Sequence, residues 1–431
     1  MTAHKLATLS WVFLVVLLAF GQNTLFAQSQ RDCGPLSPTS SVRPAGESPC
    51  SDTRFLSDID FQAKQGTPAS IALSVDRFIG DPAKLLENGF LEPKAKLKIV
   101  MKGDSRGQLS EIKFNGSPLR PFVPASTWTL HEFDVPVERI NFRSEPLVVD
   151  GRPQPMVLPA NEVVVSMIGG SLIGDWVSLE IRVARPVLLV HGILSSKETW
   201  NKWTRDEGFL KRTGLPVEAI DVGPRDTIES NAAEISKRVA YFKQLWKVDS
   251  LTLVGHSKGG LDARLAAENG KSVSTVIMIG TPNEGSPAVE RLSNPLFSKY
   301  AGRGLEQLAP QNMIEFNKNH GAVTKVEYIA IAGDFISNCK PDETQENTYC
   351  EANRELAAMV GQGDLVVSLS SVYSLSYALN LPPITSKSDI GCPILDSAAA
   401  GPNCDAVHVS LLNSETLFLR LKPFIGKPVS D

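Results

Sequence analysis

Ser257 lies at the centre of a Gly-x-Ser-x-Gly pentapeptide, between Gly255 and Gly259. The apolar residues before it are typical of a short buried strand, and apolar residues recur at helical spacing over 261–266. A serine on such a sharp strand-to-helix turn projects its Oγ at a helix N-terminus, where the helix dipole favours negative charge. Both glycines are expected because a Cβ would clash where the chain turns back on itself. The stretch predicts a nucleophilic serine.

The same Gly-x-Ser-x-Gly pattern occurs a second time, at 103–107, with Ser105 at its centre. The residues before it have the pattern of a strand, but those after it, 108–114, form another alternating strand that ends in an Asn-Gly hairpin signal. Because no helix follows, we expect Ser105 to be an ordinary turn serine. Only Ser257 has both the strand and the helix that a nucleophile requires.

A serine hydroxyl needs a general base, normally a histidine that a carboxylate orients. On a strand–serine–helix scaffold the partners follow in the order serine, acid, histidine. Of the six histidines, His408 has the required downstream position. His4 lies in the N-terminal apolar segment and His131 in the β-rich region. His191 and His256 lie in the turns beside the serine, and His320 precedes Asp364, the preferred acid.

Two carboxylates compete for the role of the acid. Asp364 lies just before an apolar run and 44 residues before His408, and we prefer it. Asp334 directly follows a predicted buried strand, which is another place where this scaffold can hold its acid. If it is not the acid, Asp334 simply ends that strand.

Acyl transfer also needs donors for the oxyanion, one from the residue after the nucleophile and one from an earlier loop. The backbone N–H of Lys258 would be the first donor. His191, Gly192 and Ile193 directly follow the first buried strand, and the backbone N–H of Ile193 would be the second donor. We expect the side chain of Lys258 to be a solvated surface charge rather than a catalytic base.

The elements that must position these residues fall into two parts with different patterns. From about 56 to 185, short alternating strands are separated by Gly, Pro, Asn and Asp, which predicts a β-sandwich. From about 186 to 431, continuous apolar strands such as 186–190 alternate with helices such as 230–246, which predicts an open, mostly parallel sheet with helices on both sides. The fold class is therefore α/β, preceded by a smaller all-β domain.

The first 55 residues have a different character. Residues 1–27 contain a short apolar run after His4 and Lys5, which predicts a secretory signal peptide cleaved after Ala27 rather than a membrane anchor. Residues 28–55 are an extended Ser/Pro-rich lead-in. We therefore expect a secreted or periplasmic protein, and its net charge of −4 provides no basic field for nucleic acid.

All six cysteines lie beyond the predicted cleavage point, and an even number in an exported chain indicates disulfides. The simplest scheme joins neighbours along the chain: Cys33 with Cys50, Cys339 with Cys350, and Cys392 with Cys404. Their spacing does not resemble that of a zinc site, and structural thiols are the alternative.

Five segments in the correct order resemble the bacterial triacylglycerol lipase family of α/β-hydrolases, and the related GPI-inositol-deacylase-like hydrolases. They are VLLVHGI at 187–193, GHSKGGL at 255–261, GTPNEGS at 280–286, GDLV at 363–366 and HVSLLN at 408–413. The resemblance covers about 186–425 and does not extend to the β-rich region. It implies a Ser257–Asp364–His408 triad and hydrolysis of carboxylic esters, commonly lipids, without a cofactor. An acyltransferase or thioesterase would use the same residues, and a non-catalytic surface-binding protein is the alternative from another class.

Three departures from the family pattern qualify these expectations. The family's acid is usually followed by glycine, whereas Leu365 follows Asp364, which keeps Asp334 as an alternative. The family often binds calcium through an Asp two residues after the histidine, but Ser410 stands there, so we expect no metal site. The segment 285–317 is short for a lid. Its apolar residues could still form a small cap over the site, with transient contact to a lipid interface, or they could belong to the core. They are Leu292, Leu296, Phe297, Tyr300, Leu305 and Leu308. No partner protein is indicated.

Overall fold

The computed structural model describes the chain in a series of ranges. They are 54–57, 60–73, 75, 80–104, 109–142, 148–149, 152–153, 161–246, 248–270, 272–289, 302–338, 348–389, 392–393 and 402–426. The predicted signal peptide, the lead-in up to residue 53, Ser105 and the cysteines at 33, 50 and 339 lie outside these ranges. Contacts group Ser51–Asp431 into one compact unit.

The first part of this unit consists mainly of antiparallel strands. In chain order they are β1 (Arg54–Ser57), β2 (Phe61–Lys64), β3 (Ala69–Leu73), β4 (Lys94–Gly103), β5 (Ser110–Phe114), β6 (Ser117–Pro118), β7 (Thr129–Pro136), β8 (Val148–Val149), β9 (Arg152–Pro153), β10 (Asn161–Met167) and β11 (Ser171–Glu180), with one helix, α1 (Pro82–Glu87). One sheet has the order β1-β11-β4-β7, with β2 also pairing with β11, and the other has the order β3-β10-β5-β6. The strands β8 and β9 form a separate pair.

The sheet of β3, β10, β5 and β6 buries one face, as its sequence pattern predicts, whereas β4 and β11 of the other sheet are buried over most of their length. Along β10 the buried residues alternate with more exposed ones, and Val163, Val165 and Met167 all point into the core. The strands β3 and β5 show the same alternation. Because successive side chains of a strand point to opposite faces, this period of two places the buried side chains on one side of the sheet. The two sheets form the predicted all-β sandwich-like part.

The second part is built on parallel strands. They are β12 (Val187–Val190), β13 (Val217–Ile220), β14 (Leu251–His256), β15 (Val273–Ile279), β16 (Glu327–Ile331), β17 (Gly333–Ser337), β18 (Leu379–Asn380) and β19 (Ile384–Ser388). The helices are α2 (Asn201–Thr204), α3 (Ile228–Trp246), α4 (Lys258–Asn269), α5 (Arg303–Glu306), α6 (Pro310–Asn319), α7 (Thr348–Val360), α8 (Leu369–Val372) and α9 (Glu415–Ile425). The main sheet has the order β13-β12-β14-β15-β16-β18, and β17 pairs with β19.

The central strands of the main sheet are buried on both faces. Every residue of β12 and of β14 is buried, and all five strand pairs in this sheet are parallel. Continuous burial arises because helices cover both sides of the sheet. These features confirm the predicted fold class, a mostly parallel α/β sheet preceded by an all-β region.

One hydrophobic core extends from the antiparallel sheets into the parallel part. It contains Leu97 and Leu179 of the antiparallel region together with Leu189 of β12 and Phe418 of α9. At the junction lies Phe90, which is 1% exposed, and its carbonyl accepts a hydrogen bond from the Ala184 N–H at 2.8 Å. The two parts therefore share buried apolar surface.

The antiparallel region contacts the parallel sheet at the end opposite the predicted nucleophile. The Asp81 N–H donates to the Gly214 carbonyl at 3.1 Å, and Gly214 lies just before β13 begins. Ser257 instead follows the C-terminal end of β14. Among the described residues, no helix is long and apolar enough to cross a membrane.

Candidate active site

Ser257 lies on a strained turn between β14 and α4. Its backbone has φ 54° and ψ −130°, an unusual conformation for a residue with a side chain. The Ser257 N–H donates to the Ile279 carbonyl at 2.9 Å, which ties the turn to the neighbouring strand β15. Backbone strain of this kind persists only where the surrounding structure enforces it, and it is frequent at functional sites. The geometry is that of a nucleophile elbow.

The glycines around the elbow stand where the backbone segments approach most closely. A Cβ on Gly255 would lie 2.4 Å from the Gly259 carbonyl oxygen, and a Cβ on Gly259 would lie 2.5 Å from that of His191. A Cβ on Gly192 would lie 2.8 Å from the Cβ of Ser257 and 3.3 Å from its Oγ. The loop after β12 is therefore packed directly against the serine.

Asp364 and His408 form a buried pair. The Nδ1 of His408 lies 2.7 Å from Oδ2 of Asp364, and the two side chains are 7% and 0% exposed. The other oxygen, Oδ1, accepts hydrogen bonds from the N–H groups of Val366 at 3.0 Å and Val367 at 2.7 Å. Because the carboxylate is fixed by the turn that follows it, Oδ2 is left to orient the imidazole.

Leu365 occupies the position where the family usually has glycine, and it adopts the conformation that glycine favours. Its φ is 73°, in the left-handed region that residues other than glycine and asparagine rarely adopt. Its side chain is 1% exposed and belongs to the main core. Burial of the leucine side chain offsets the backbone strain, so the turn forms here without glycine.

Asp334 has a different partner. It lies on β17, is largely buried, and its Oδ2 accepts a hydrogen bond from Nε2 of Gln362 at 2.9 Å. The structure thus brings Asp364, and not Asp334, to the imidazole of His408.

His191 fixes the peptide group that contains the predicted oxyanion donor. Its Nε2 accepts a hydrogen bond from the Val222 N–H at 3.2 Å, so Nδ1 carries the proton and donates to the Gly192 carbonyl at 2.8 Å. Burial lowers the pKa of His191, which keeps this ring neutral. Since C=O and N–H point in opposite directions in a trans peptide, holding the Gly192 carbonyl also sets the direction of the Ile193 N–H. Among the described residues, neither the Ile193 N–H nor the Lys258 N–H has a hydrogen-bond acceptor.

The expectation of a solvated Lys258 side chain was wrong. Lys258 is 1% exposed, and its Nζ donates to Oδ1 of Asp262, one helical turn later, at 2.7 Å. Asn231 of α3 donates to the other oxygen of Asp262 at 2.8 Å. Because α3 covers this face of α4, the lysine reaches a buried carboxylate rather than water. Burial raises the pKa of Asp262 to about 6, while the Lys258 ammonium opposes the shift.

His256 contacts His408, which the order of residues along the sequence did not predict. Its Nε2 lies 2.9 Å from the backbone carbonyl oxygen of His408, and the two ring centroids are 4.7 Å apart. The signal available in the sequence is only that His256 directly precedes the serine.

The loop before His408 is closed by a disulfide between Cys392 and Cys404, as predicted. Asn353 of α7 fixes one end of the loop, because its side chain exchanges hydrogen bonds with the backbone of Cys392 at 2.7 and 3.0 Å. Cys350 is also disulfide-bonded. The predicted pairs of Cys33 with Cys50 and of Cys339 with Cys350 involve cysteines outside the described ranges.

Two other expectations concern the surroundings of the site. Ser410 is 1% exposed, and within the described ranges no group of His, Cys, Asp or Glu side chains could hold a metal ion. In the predicted cap segment, Leu305 and Leu308 are buried in the core on one side of the main sheet. The remaining cap residues, which all fall between 290 and 301, lie outside the described ranges.

Comparison with known proteins gives partial matches. No protein-family model matches the chain. Two curated triacylglycerol lipases, from Pseudarthrobacter phenanthrenivorans and Burkholderia plantarii, are each 32% identical over 108 residues, which is 23% of this chain and 34% and 30% of those proteins. The chain thus spans about a third of the length of these relatives.

Solved structures of lipases and esterases also align with the chain. Mature Bacillus licheniformis lipase BlEst2 has a TM-score of 0.43 at 23% identity, over 56% of this chain and 92% of that one. The metagenomic carboxyl esterase MGS0156 has a TM-score of 0.42 at 18% identity, over 56% of this chain and 76% of that one. The sheet topology and the elbow of this chain show that its second part has the α/β-hydrolase fold. Over part of its length, the chain is similar to bacterial triacylglycerol lipases.

Proposed function

We propose that the protein is an exported serine carboxylester hydrolase, a lipase or esterase, that works through an acyl-enzyme. The observation that carries the proposal is the hydrogen-bonded pair of Asp364 and His408, together with a serine held on a strained elbow against the Gly192 loop. The partial similarity to triacylglycerol lipases supports the same class of reaction.

In the proposed acylation step, Ser257 Oγ attacks the carbonyl carbon of the ester while His408 Nε2 accepts the hydroxyl proton. Asp364 keeps the Nδ1 proton of His408 in place and stabilises the imidazolium that forms. The backbone N–H groups of Ile193 and Lys258 donate to the oxyanion of the tetrahedral intermediate. When the intermediate collapses, the imidazolium protonates the leaving alcohol and the acyl group stays on Ser257.

In the proposed deacylation step, His408 takes a proton from a water molecule, which attacks the acyl-enzyme. The second tetrahedral intermediate uses the same two donors, and its collapse returns the proton to Ser257 Oγ and releases the carboxylic acid. These residues require neither a metal ion nor an organic cofactor for either step. An acyltransferase or thioesterase would use the same groups and differ only in its acyl donor or acceptor.

The roles of the other parts of the chain are included in the proposal. Residues 56–185 would form an accessory domain that stabilises residues 186–431, the catalytic domain, since their contacts lie at the far end of the parallel sheet. Export, with cleavage after Ala27, is supported by the disulfide between Cys392 and Cys404, because disulfides persist in oxidising compartments. Sequencing the N-terminus of the secreted protein tests this point, and a mature chain that begins at Gln28 is expected.

The experiment that tests the activity is a series of p-nitrophenyl esters of increasing acyl length, given to the wild type, Ser257→Ala and Ser105→Ala. Ser105→Ala is a matched control, because Ser105 also stands at the centre of a Gly-x-Ser-x-Gly pattern. We expect Ser257→Ala to lower kcat by up to about 10⁶-fold, and Ser105→Ala to keep the wild-type rate. A fluorophosphonate should add one label to the wild type and none to Ser257→Ala.

The outcomes separate the alternatives. If the wild type hydrolyses no ester and takes no fluorophosphonate label, the chain is not a serine hydrolase, and a surface-binding role is favoured. If added alcohols or thiols accept the acyl group in preference to water, the protein is an acyltransferase. A preference for short acyl chains without activation at an oil–water interface indicates an esterase rather than a lipase.

A further inference from the structure

His256 directly precedes Ser257, and its side chain is turned away from solvent toward the loop of His408. The residue is 5% exposed, and its Nε2 lies 2.9 Å from the backbone carbonyl oxygen of His408. A carbonyl oxygen only accepts hydrogen bonds, so the proton of His256 is on Nε2 and is donated to this oxygen. The elbow is therefore connected by a side-chain hydrogen bond to the backbone of the proposed general base.

Three hydrogen bonds together hold His408. Its backbone N–H donates to the Asp364 carbonyl at 3.0 Å, and its Nδ1 lies 2.7 Å from Oδ2 of the same aspartate. The bond from His256 to the His408 carbonyl is the third. The first two bonds come from one residue, Asp364, whereas the third comes from the residue that precedes Ser257. The His256 bond therefore ties the backbone of His408 directly to the elbow.

The ring of His256 also packs beside the ring of His408. Their centroids are 4.7 Å apart with an angle of 38° between the planes. Burial, and then the charge of His408, lower the pKa of His256 to about 3. The ring thus stays neutral when its neighbour becomes an imidazolium, and no second positive charge opposes proton transfer to His408.

We propose that His256 is a positioning residue, which fixes the backbone and ring of His408 relative to Ser257 through the Nε2–H to carbonyl hydrogen bond. The inference rests on the proposed function, in which His408 is the general base. It assigns His256 no contact with the substrate and no proton transfer of its own. Its loss should therefore change the rate of the chemical step and leave substrate binding intact.

The first test compares His256→Phe, which keeps a ring without a donor, with His256→Gln, which keeps an N–H donor without a ring. His320→Phe is the matched control, because His320 lies at the end of α6 and pairs with Glu268. Rates are measured per active site after fluorophosphonate titration. We expect kcat to fall about 10- to 100-fold in His256→Phe with KM within about twofold of the wild type, and to recover in part in His256→Gln. The control should keep the wild-type kcat.

The second test does not depend on activity. The Nδ1 proton of His408, held by Asp364, should give a far-downfield proton NMR resonance, which is assigned by its loss in His408→Gln. We expect this resonance to shift or broaden in His256→Phe, to return toward its wild-type position in His256→Gln, and to stay unchanged in His320→Phe. If His256→Phe does not fold, the comparison of His256→Gln with His256→Ala carries the same test.

Failure of the proposed function and failure of the positioning role of His256 are distinguishable. A wild type that hydrolyses no ester overturns the proposed function, but the His408 resonance in the His256 variants still tests the contact. An unchanged resonance together with an unchanged kcat per titrated site in His256→Phe overturns the positioning role. A lower melting temperature with unchanged kcat per site also overturns it, since that result describes a purely structural residue.

Discussion

Oδ2 of Asp364 lies 2.7 Å from Nδ1 of His408, although 44 residues separate the two along the chain. The aspartate is completely buried, and its other oxygen is held by two backbone N–H groups. A carboxylate fixed in this way selects one tautomer of the imidazole and leaves Nε2 free to accept a proton.

The pair gives a direct prediction for the identity of the acid. Asp364→Asn should lower kcat by about 10⁴-fold, because an amide no longer holds the catalytic tautomer of His408. Asp334→Asn is the matched control, and it should stay within a few-fold of the wild type, since Asp334 contacts Gln362. Steady-state rates with a p-nitrophenyl ester, corrected by active-site titration, measure both variants. Comparable losses in the two would argue against Asp364 as the sole acid.

Gly192 gives a prediction for the oxyanion loop. In Gly192→Ala the added Cβ would lie 2.8 Å from the Cβ of Ser257, so the loop that contains the Ile193 N–H has to move. We expect kcat to fall at least about 10²-fold, the cost of losing one oxyanion donor. Gly321→Ala is the control, since no atom lies within 4 Å of the added methyl group. A fully active Gly192→Ala enzyme would show that the Ile193 N–H is not needed.

The buried Asp262 gives a prediction for the pH dependence of stability. Its pKa in the folded chain, about 6, is above the value of 3.8 expected for the unfolded chain. Between these two pH values the folded state binds more protons, so the contribution of this carboxyl to the free energy of unfolding decreases as pH rises. Above pH 6 the carboxyl is charged in both the folded and the unfolded chain, and its burial lowers the free energy of unfolding by a constant amount, on the order of 3 kcal/mol.

The prediction is checked by urea unfolding of the wild type and of Asp262→Asn at pH values from 4 to 7. The difference in unfolding free energy, wild type minus variant, should decrease as pH rises to about 6 and then remain level. Glu315→Gln, at an exposed glutamate of α6, serves as the surface control. A difference that increases with pH would mean that the Lys258 ammonium outweighs the burial of Asp262.

The shared core gives a prediction for cooperativity. Phe90 is 1% exposed at the junction, and the ammonium of Lys422 in α9 lies 5.7 Å from the centroid of its ring. Phe90→Ala should lower the free energy of unfolding by about 3–5 kcal/mol, while unfolding remains a single transition. Tyr241→Ala, at a residue that is 57% exposed, should change it by less than about 0.5 kcal/mol. Ellipticity and esterase activity should be lost at the same urea concentration, and two separate transitions would contradict a shared core.

The sequence was informative wherever the decisive signal was local. The pattern around Ser257 predicted the elbow, because a strand, a tight glycine turn and a helix each have a recognisable sequence pattern within a few residues. The short spacing of Cys392 and Cys404 gave the simplest disulfide, and that bond is present. Alternating and continuous apolar strands likewise distinguished the antiparallel sheets from the parallel one.

Signals that depend on distant parts of the chain were weaker. Leucine after Asp364 left Asp334 as an alternative, because the sequence does not show that burial of Leu365 can offset a φ of 73°. Lys258 was expected in solvent, since a lysine three residues before the first apolar residue of the predicted helix does not reveal that α3 covers it. The hydrogen bond from His256 to the His408 carbonyl spans 152 residues, and no periodicity encodes it.

The sequence by itself therefore determined the fold class, the elbow serine and the order of the candidate catalytic residues. Only the tertiary structure decided which acid reaches His408, that the side chain of Lys258 is buried, and that the antiparallel region shares a core with the parallel sheet. The physical reason is that strand and helix patterns arise from contacts between near neighbours. The burial of a charge and the pairing of an imidazole depend instead on which distant backbone segments pack together.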